Sequence, residues 1–142
     1  MTIQKIDVKY TAVATAENGR DGRVASDDGK LDVVVNPPKE MGGSGAGTNP
    51  EQLFAAGYSA CFQGALGVVA RREKADISGS TVTAKVGIGS TEAGGFGLEV
   101  EITASIPNVD TATAQSLVGK AHEVCPYSNA TRGNIKVDLK VA

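Results

Sequence analysis

The run from Gln52 to Ala70 carries no charge and is the longest such run in the chain. Within it Phe54, Gly57, Tyr58, Cys61, Ala65, Val68 and Val69 recur at three- and four-residue spacing, the repeat of one face of an α-helix. Asn49 stands where an N-cap is expected. Pro50 follows at the first helical position, where its missing N–H costs nothing. The spacing predicts a helix from about Pro50 to Arg72. Its stripe is apolar and built of small residues, so deep burial is expected. A membrane span of this length would be apolar throughout. Gly57, Ser59, Gln63, Gly64 and Gly67 fit a buried protein helix better.

On both sides of this helix the period falls to two, the signature of strands. Val8, Tyr10, Ala12 and Ala14 alternate with polar or small partners, and Gly19-Arg20-Asp21-Gly22 reads as a turn. Leu31, Val33 and Val35 alternate again until Pro37-Pro38, and the Gly-rich stretch from Met41 to Gly47 reads as a loop. Beyond the helix, Val82, Ala84, Val86 and Ile88 form one row. Leu98, Val100, Ile102, Ala104 and Ile106 form a second, and Glu92-Ala93-Gly94-Gly95 joins them as a hairpin. Asp110 is placed to cap a second helix whose stripe is Ala114, Leu117, Val118, Ala121, Val124 and Cys125. Pro126 cannot continue that helix, which puts Cys125 at its C-terminal end. Ile135, Val137, Leu139 and Val141 make a last strand. Strands, helix, hairpin, helix and strand in that order predict an α+β fold with antiparallel sheets, in a single domain over residues 1–142.

Charge narrows the function. Lys and Arg number 14 against 16 Asp and Glu, a net charge of -2. A nucleic-acid binder would need a positive excess, and no Lys/Arg cluster suggests a membrane surface. The N-terminus lacks an apolar signal core, so a cytoplasmic location is expected. The chain has 18 Gly, 3 Tyr, 3 Phe and no Trp. A domain of this size buries only about two-thirds of its unfolded surface. A core of Val, Ile, Ala and Leu is then marginal alone, and an oligomer is expected.

Two cysteines, Cys61 and Cys125, and one histidine, His122, are the nucleophilic and soft-ligand groups. A structural disulfide is disfavoured in a reducing compartment. Zinc would want three or four N/S ligands, so no metal is expected. The Gly42–Thr48 run precedes a helix as phosphate loops do, but it lacks both the Gly-Lys-Ser/Thr ending and the dinucleotide-binding glycine pattern. Cys61, mid-helix, reads either as a small hydrophobe or as a nucleophile. A nucleophile needs a nearby cation to become a thiolate. The helix N-terminus lies about 15 Å away, too far for its dipole to serve. Arg20 or His122 could supply the charge. Glu51 is ordinary first-turn charge on spacing alone. Cys125, at a helix end beside Tyr127, is expected to be more available than a core Cys. A reactive and a second, resolving Cys together make a thiol peroxidase or a redox sensor.

Several runs are similar to those of one family. Gly47-Thr48-Asn49-Pro50-Glu51-Gln52-Leu53-Phe54-Ala55-Ala56-Gly57-Tyr58-Ser59-Ala60-Cys61-Phe62 resembles the central motif of the organic hydroperoxide resistance (Ohr) branch of the OsmC superfamily. The run from Val124 through Cys125-Pro126-Tyr127 to Asn134 resembles its second motif. Gly19-Arg20-Asp21-Gly22 resembles the N-terminal one, and Gly87-Ile88-Gly89 with Gly94-Gly95-Phe96-Gly97-Leu98 a fourth. The resemblance implies an intertwined homodimer in which antiparallel sheets wrap two central helices. It implies a thiol-dependent peroxidase for alkyl and fatty-acid hydroperoxides that uses no metal, haem or flavin. Cys61 falls on the peroxidatic Cys and Cys125 on the resolving one. Arg20 and Glu51 fall on the pair that holds the thiolate. Phe96 and Tyr127 become pocket residues, and dihydrolipoamide or a lipoylated protein becomes the electron donor. The alternatives are a general OsmC-type peroxidase with little alkyl preference and a redox-sensing or small-molecule-binding module without turnover.

Overall fold

The structure, a computed structural model, describes residues 2–142. The chain divides into two compact units, one up to Pro50 and the other Glu51–Ala142.

The first unit is an antiparallel three-stranded sheet in the order β1 (Ala14–Glu17), β2 (Gly22–Ser26), β3 (Asp32–Val35). The strand expected over Val8–Ala14 begins only at its last residue. The reason is register: Ala14 pairs with Ser26, the last residue of β2, so nothing in this sheet lies opposite Val8 or Tyr10. Both side chains are exposed. The turn into β2 places Asn18 and Gly19 in the left-handed region, which those two residue types tolerate best. Asn36 Nδ2 donates to Asp21 Oδ1 at 2.7 Å, tying that turn to the end of β3. The Gly-rich loop folds back on β3: Thr48 N–H donates to Val34 O at 3.0 Å and Asn36 N–H to Thr48 O at 2.9 Å. A Cβ at Gly47 would lie 2.5 Å from Val34 O. These glycines therefore serve close backbone packing.

The second unit opens with helix α1 (Pro50–Glu73), unbroken over 24 residues. The hairpin of β4 (Thr81–Ser90) and β5 (Phe96–Ser105) follows as expected, in register from Thr81↔Ser105 to Ser90↔Phe96. Helix α2 (Thr111–Val124) starts where Asp110 accepts the Thr113 N–H at 2.7 Å. Helix α3 (Pro126–Thr131) is an element the sequence pattern did not reveal, and strand β6 (Val137–Val141) closes the chain. The sheet order is β4-β5-β6, but β6 runs parallel to β5, from Val100↔Val137 to Ala104↔Val141. This corrects the all-antiparallel expectation. The intervening helices form a crossover, which returns the chain in the direction of β5.

The core joins α1, α2 and the sheet. Tyr58, Phe62, Leu66, Val100, Ile102, Leu117 and Ala121 are its centre. Fully burying a side chain such as Ile102 stabilises the fold by about 2 kcal/mol. The α1 stripe differs from expectation. Phe62 and Leu66 lie at its middle, Cys61 at its half-buried edge, and Gln52, Ala56, Ala60, Gln63 and Gly64 are exposed. The helix is long and apolar enough to cross a membrane, yet its buried face packs into this core.

Candidate active site

Pro126 creates the site. The residue before a proline is disfavoured in the helical region, and Cys125 accordingly turns extended, at φ -62 and ψ 123. Its N–H still donates to Ala121 O at 2.8 Å, and its carbonyl accepts from Asn129 N–H at 2.9 Å. Cys125 is thus at once the C-cap of α2 and the N-cap of α3. From that corner its Sγ donates to Cys61 Sγ on α1 at 3.4 Å. Both sulfurs are free thiols.

Their exposure is the reverse of the expectation. Cys125 is fully buried, although it ends a helix, while Cys61 is half-buried. Within this chain Cys125 is a member of the buried core cluster. Burial pushes the Cys61 thiol up from its ordinary value, the Tyr127 backbone N–H draws it down, and the adjacent Cys125 pushes it up again. A thiolate here needs further positive charge.

Tyr127 joins an aromatic group with Phe54 and Tyr58, with ring centroids 5.9 and 5.6 Å from its own. A Cβ at Gly57 would stand 2.6 Å from the Tyr127 hydroxyl, which explains a glycine in the interior of α1. Beneath the thiols lies a polar network. Ser128 Oγ is 2.8 Å from Tyr58 Oη and 2.8 Å from His122 Nδ1, and Thr131 Oγ1 is 3.2 Å from Tyr58 Oη. Sequence reasoning did not find Ser128, Thr131 or the role of His122. The one available signal was a lone His three residues before Cys125.

Of the other expected site residues, Glu51 is in the first turn of α1 and half-buried. Arg20 stands in the β1–β2 turn of the first unit, exposed. Phe96 opens β5, is 78% exposed, and lies outside the cluster that holds both cysteines. Among the described residues no three His, Cys, Asp or Glu side chains gather as a metal site would require.

Comparison with known proteins shows the family and the fold. The model of the family described as OsmC-like protein matches residues 42–140. An organic hydroperoxide resistance protein of Xanthomonas axonopodis pv. citri (strain 306) is 55% identical over 137 residues, covering 95% of this chain and 96% of that one. The crystal structure of an organic hydroperoxide resistance protein from Elizabethkingia anophelis is 56% identical. It superposes with a TM-score of 0.92, covering 96% of this chain and 99% of that one. The crystal structure of OhrB, an organic hydroperoxide resistance protein of Bacillus subtilis, is 46% identical at a TM-score of 0.86, covering 94% and 98%.

Proposed function

We propose, because this chain belongs to the OsmC-like family and stands among its organic hydroperoxide resistance proteins, that it is a thiol peroxidase for alkyl and fatty-acid hydroperoxides. The observation that carries the reading is the thiol pair. Cys61 is the reachable sulfur and Cys125 the buried one, 3.4 Å away. The Cys61 thiolate attacks the distal peroxide oxygen, the O–O bond breaks, and the alkoxide leaves as the alcohol after taking a proton. Cys61 is left as a sulfenic acid. The Cys125 sulfur then displaces that oxygen as water and forms a disulfide. A disulfide bond is about 2 Å long, so the sulfurs need close by only about 1.4 Å.

Arg20 supplies the positive charge that the raised Cys61 thiol calls for, and Glu51 orients its guanidinium through a paired hydrogen bond. Phe54 and Tyr127, the accessible members of the aromatic group, suit an alkyl tail better than hydrogen peroxide. A dithiol, dihydrolipoamide or a lipoylated protein, restores the thiols through a mixed disulfide. With Cys125 buried, that dithiol attacks at Cys61. No resident cofactor takes part. The protein works as a cytoplasmic homodimer. Residues 2–13, with Ile3, Ile6, Val8 and Tyr10 all exposed, and the exposed small-residue face of α1 supply apolar surface for the second copy.

A steady-state assay with an alkyl hydroperoxide tests this. Sustained turnover is expected with dihydrolipoamide, much faster than with a thioredoxin system at equal dithiol, and none with Cys61→Ser. Turnover in a folded Cys61→Ser protein would refute the assignment. A single oxidation without turnover would mark a redox sensor, and equal use of hydrogen peroxide a general OsmC-type peroxidase.

A further inference from the structure

Helix α3 is six residues long, too short to hold itself in place. Yet it begins at Cys125, and the N–H of its Tyr127 interacts with the Cys61 sulfur. Whatever fixes α3 therefore fixes the meeting of the two thiols. Ser128, fully buried, is at the centre of that fixture. Its single hydroxyl joins Tyr58 on α1, the helix of Cys61, to His122 on α2, the helix that ends at Cys125. Thr131 Oγ1 donates back to Ser128 O at 3.2 Å. Arg132 closes the far side, donating to His122 O at 2.5 Å and to Asn129 Oδ1 at 2.8 Å.

The donors and acceptors of this network balance. Ser128 has one proton and two lone pairs. It bonds a neutral His122 at Nδ1 and Tyr58 at once, giving its proton to one and accepting from the other. Every described buried side-chain N or O has a partner. Removing one member strands the others, which is costly in a buried site.

We propose that His122 and Ser128 are positioning residues for Cys125, clamping α3 so that its sulfur meets oxidised Cys61. The chemical step rests on the peroxidase reading. The hydroperoxide has oxidised Cys61 to the sulfenic acid. The Cys125 sulfur forms the S–S bond, the S–O bond breaks, and the oxygen leaves as water with the Cys125 proton. With the clamp loosened, Cys125 arrives late. The sulfenic acid then meets a second hydroperoxide and becomes sulfinic.

The test compares the full-length parent with Ser128→Ala, His122→Leu and His122→Asn, each shown to be folded by circular dichroism. Asn offers an amide group, donor and acceptor both, where Nδ1 bonds Ser128. One readout is the effective concentration of the thiol pair, from equilibration with glutathione buffers. The other is the rate of disulfide closure and the sulfinic yield after an alkyl hydroperoxide. Ser128→Ala and His122→Leu should lower the effective concentration and slow closure by about tenfold, the size expected for stranded buried partners. First-turnover hydroperoxide consumption should change much less, and sulfinic Cys61 should rise. His122→Asn should stay within about threefold of the parent, as a restored hydrogen-bond partner does. A parent-like effective concentration in Ser128→Ala overturns the proposal. So does an equal loss in His122→Asn and His122→Leu, which would mean packing alone. If Ser128→Ala does not fold, the two His122 variants decide. If the parent consumes no alkyl hydroperoxide, the peroxidase reading fails, while the glutathione equilibrium still decides the clamp.

Discussion

On the proposed reading Cys61 and Cys125 separate two tasks, one sulfur reachable and one withheld from solvent. Cys125→Ser should therefore leave the first attack intact. The variant should consume about one hydroperoxide per subunit, then stall as Cys61 over-oxidises. Mass spectrometry of Cys61 against equivalents of peroxide checks this, and sustained turnover would contradict it. His122 carries a pH dependence of its own. Burial, with Arg132 beside it, holds the ring below its ordinary value against a weaker opposite pull from Glu123. The unfolded chain, titrating near about pH 6.5, binds this proton more readily than the folded one. Its contribution to stability is thus complete above that pH and is lost as pH falls toward the folded value. Tm should decline with acidification more steeply in the parent than in His122→Asn, which has no ring to titrate. Parallel declines would remove His122 from the account.

Helix α2 was legible at both ends, because a cap and a proline act locally: Asp110 accepts from Thr113 and Pro126 stops the helix. Asp110→Ala should cost about 1 kcal/mol of stability without moving the thiol chemistry, measurable by urea denaturation beside the glutathione equilibrium. The β4–β5 hairpin was legible from alternation and its Gly-rich connection. Strand β2 was not, since Arg23-Val24-Ala25-Ser26 alternates weakly. The direction of β6 was not either, because alternation is the same read forward or backward. Helix α3 is too short to show a period. With α3 unseen, the burial of Cys125 and the network of Tyr58, Ser128 and His122 could not be foreseen. The two cysteines stood out by their chemistry, but a stripe drawn every three or four residues could not separate the core position of Phe62 from the edge position of Cys61.

Across the whole molecule, the unbroken α1 shapes the remaining proposal. Glu51 and Cys61 are ten residues apart on it, about 15 Å along the axis and about 80° around it. A helix break cannot bring them together. We propose that Arg20 and Glu51 serve the Cys61 of the second copy, as antiparallel packing of two α1 helices about a twofold axis would allow. Co-folding Cys61→Ser with Arg20→Ala should then restore about a quarter of the parent's activity, since about half the dimers are mixed and each holds one intact site. Activity no higher than the mean of the two separate variants would place each site within one subunit. The central claim, a two-thiol peroxidase, is tested most directly by adding one equivalent of an alkyl hydroperoxide to the fully reduced protein and mapping its sulfurs by mass spectrometry while quantifying the alcohol. The account predicts an intrasubunit Cys61–Cys125 disulfide and one alcohol per subunit. Reduced thiols, or disulfides only between subunits, would contradict it.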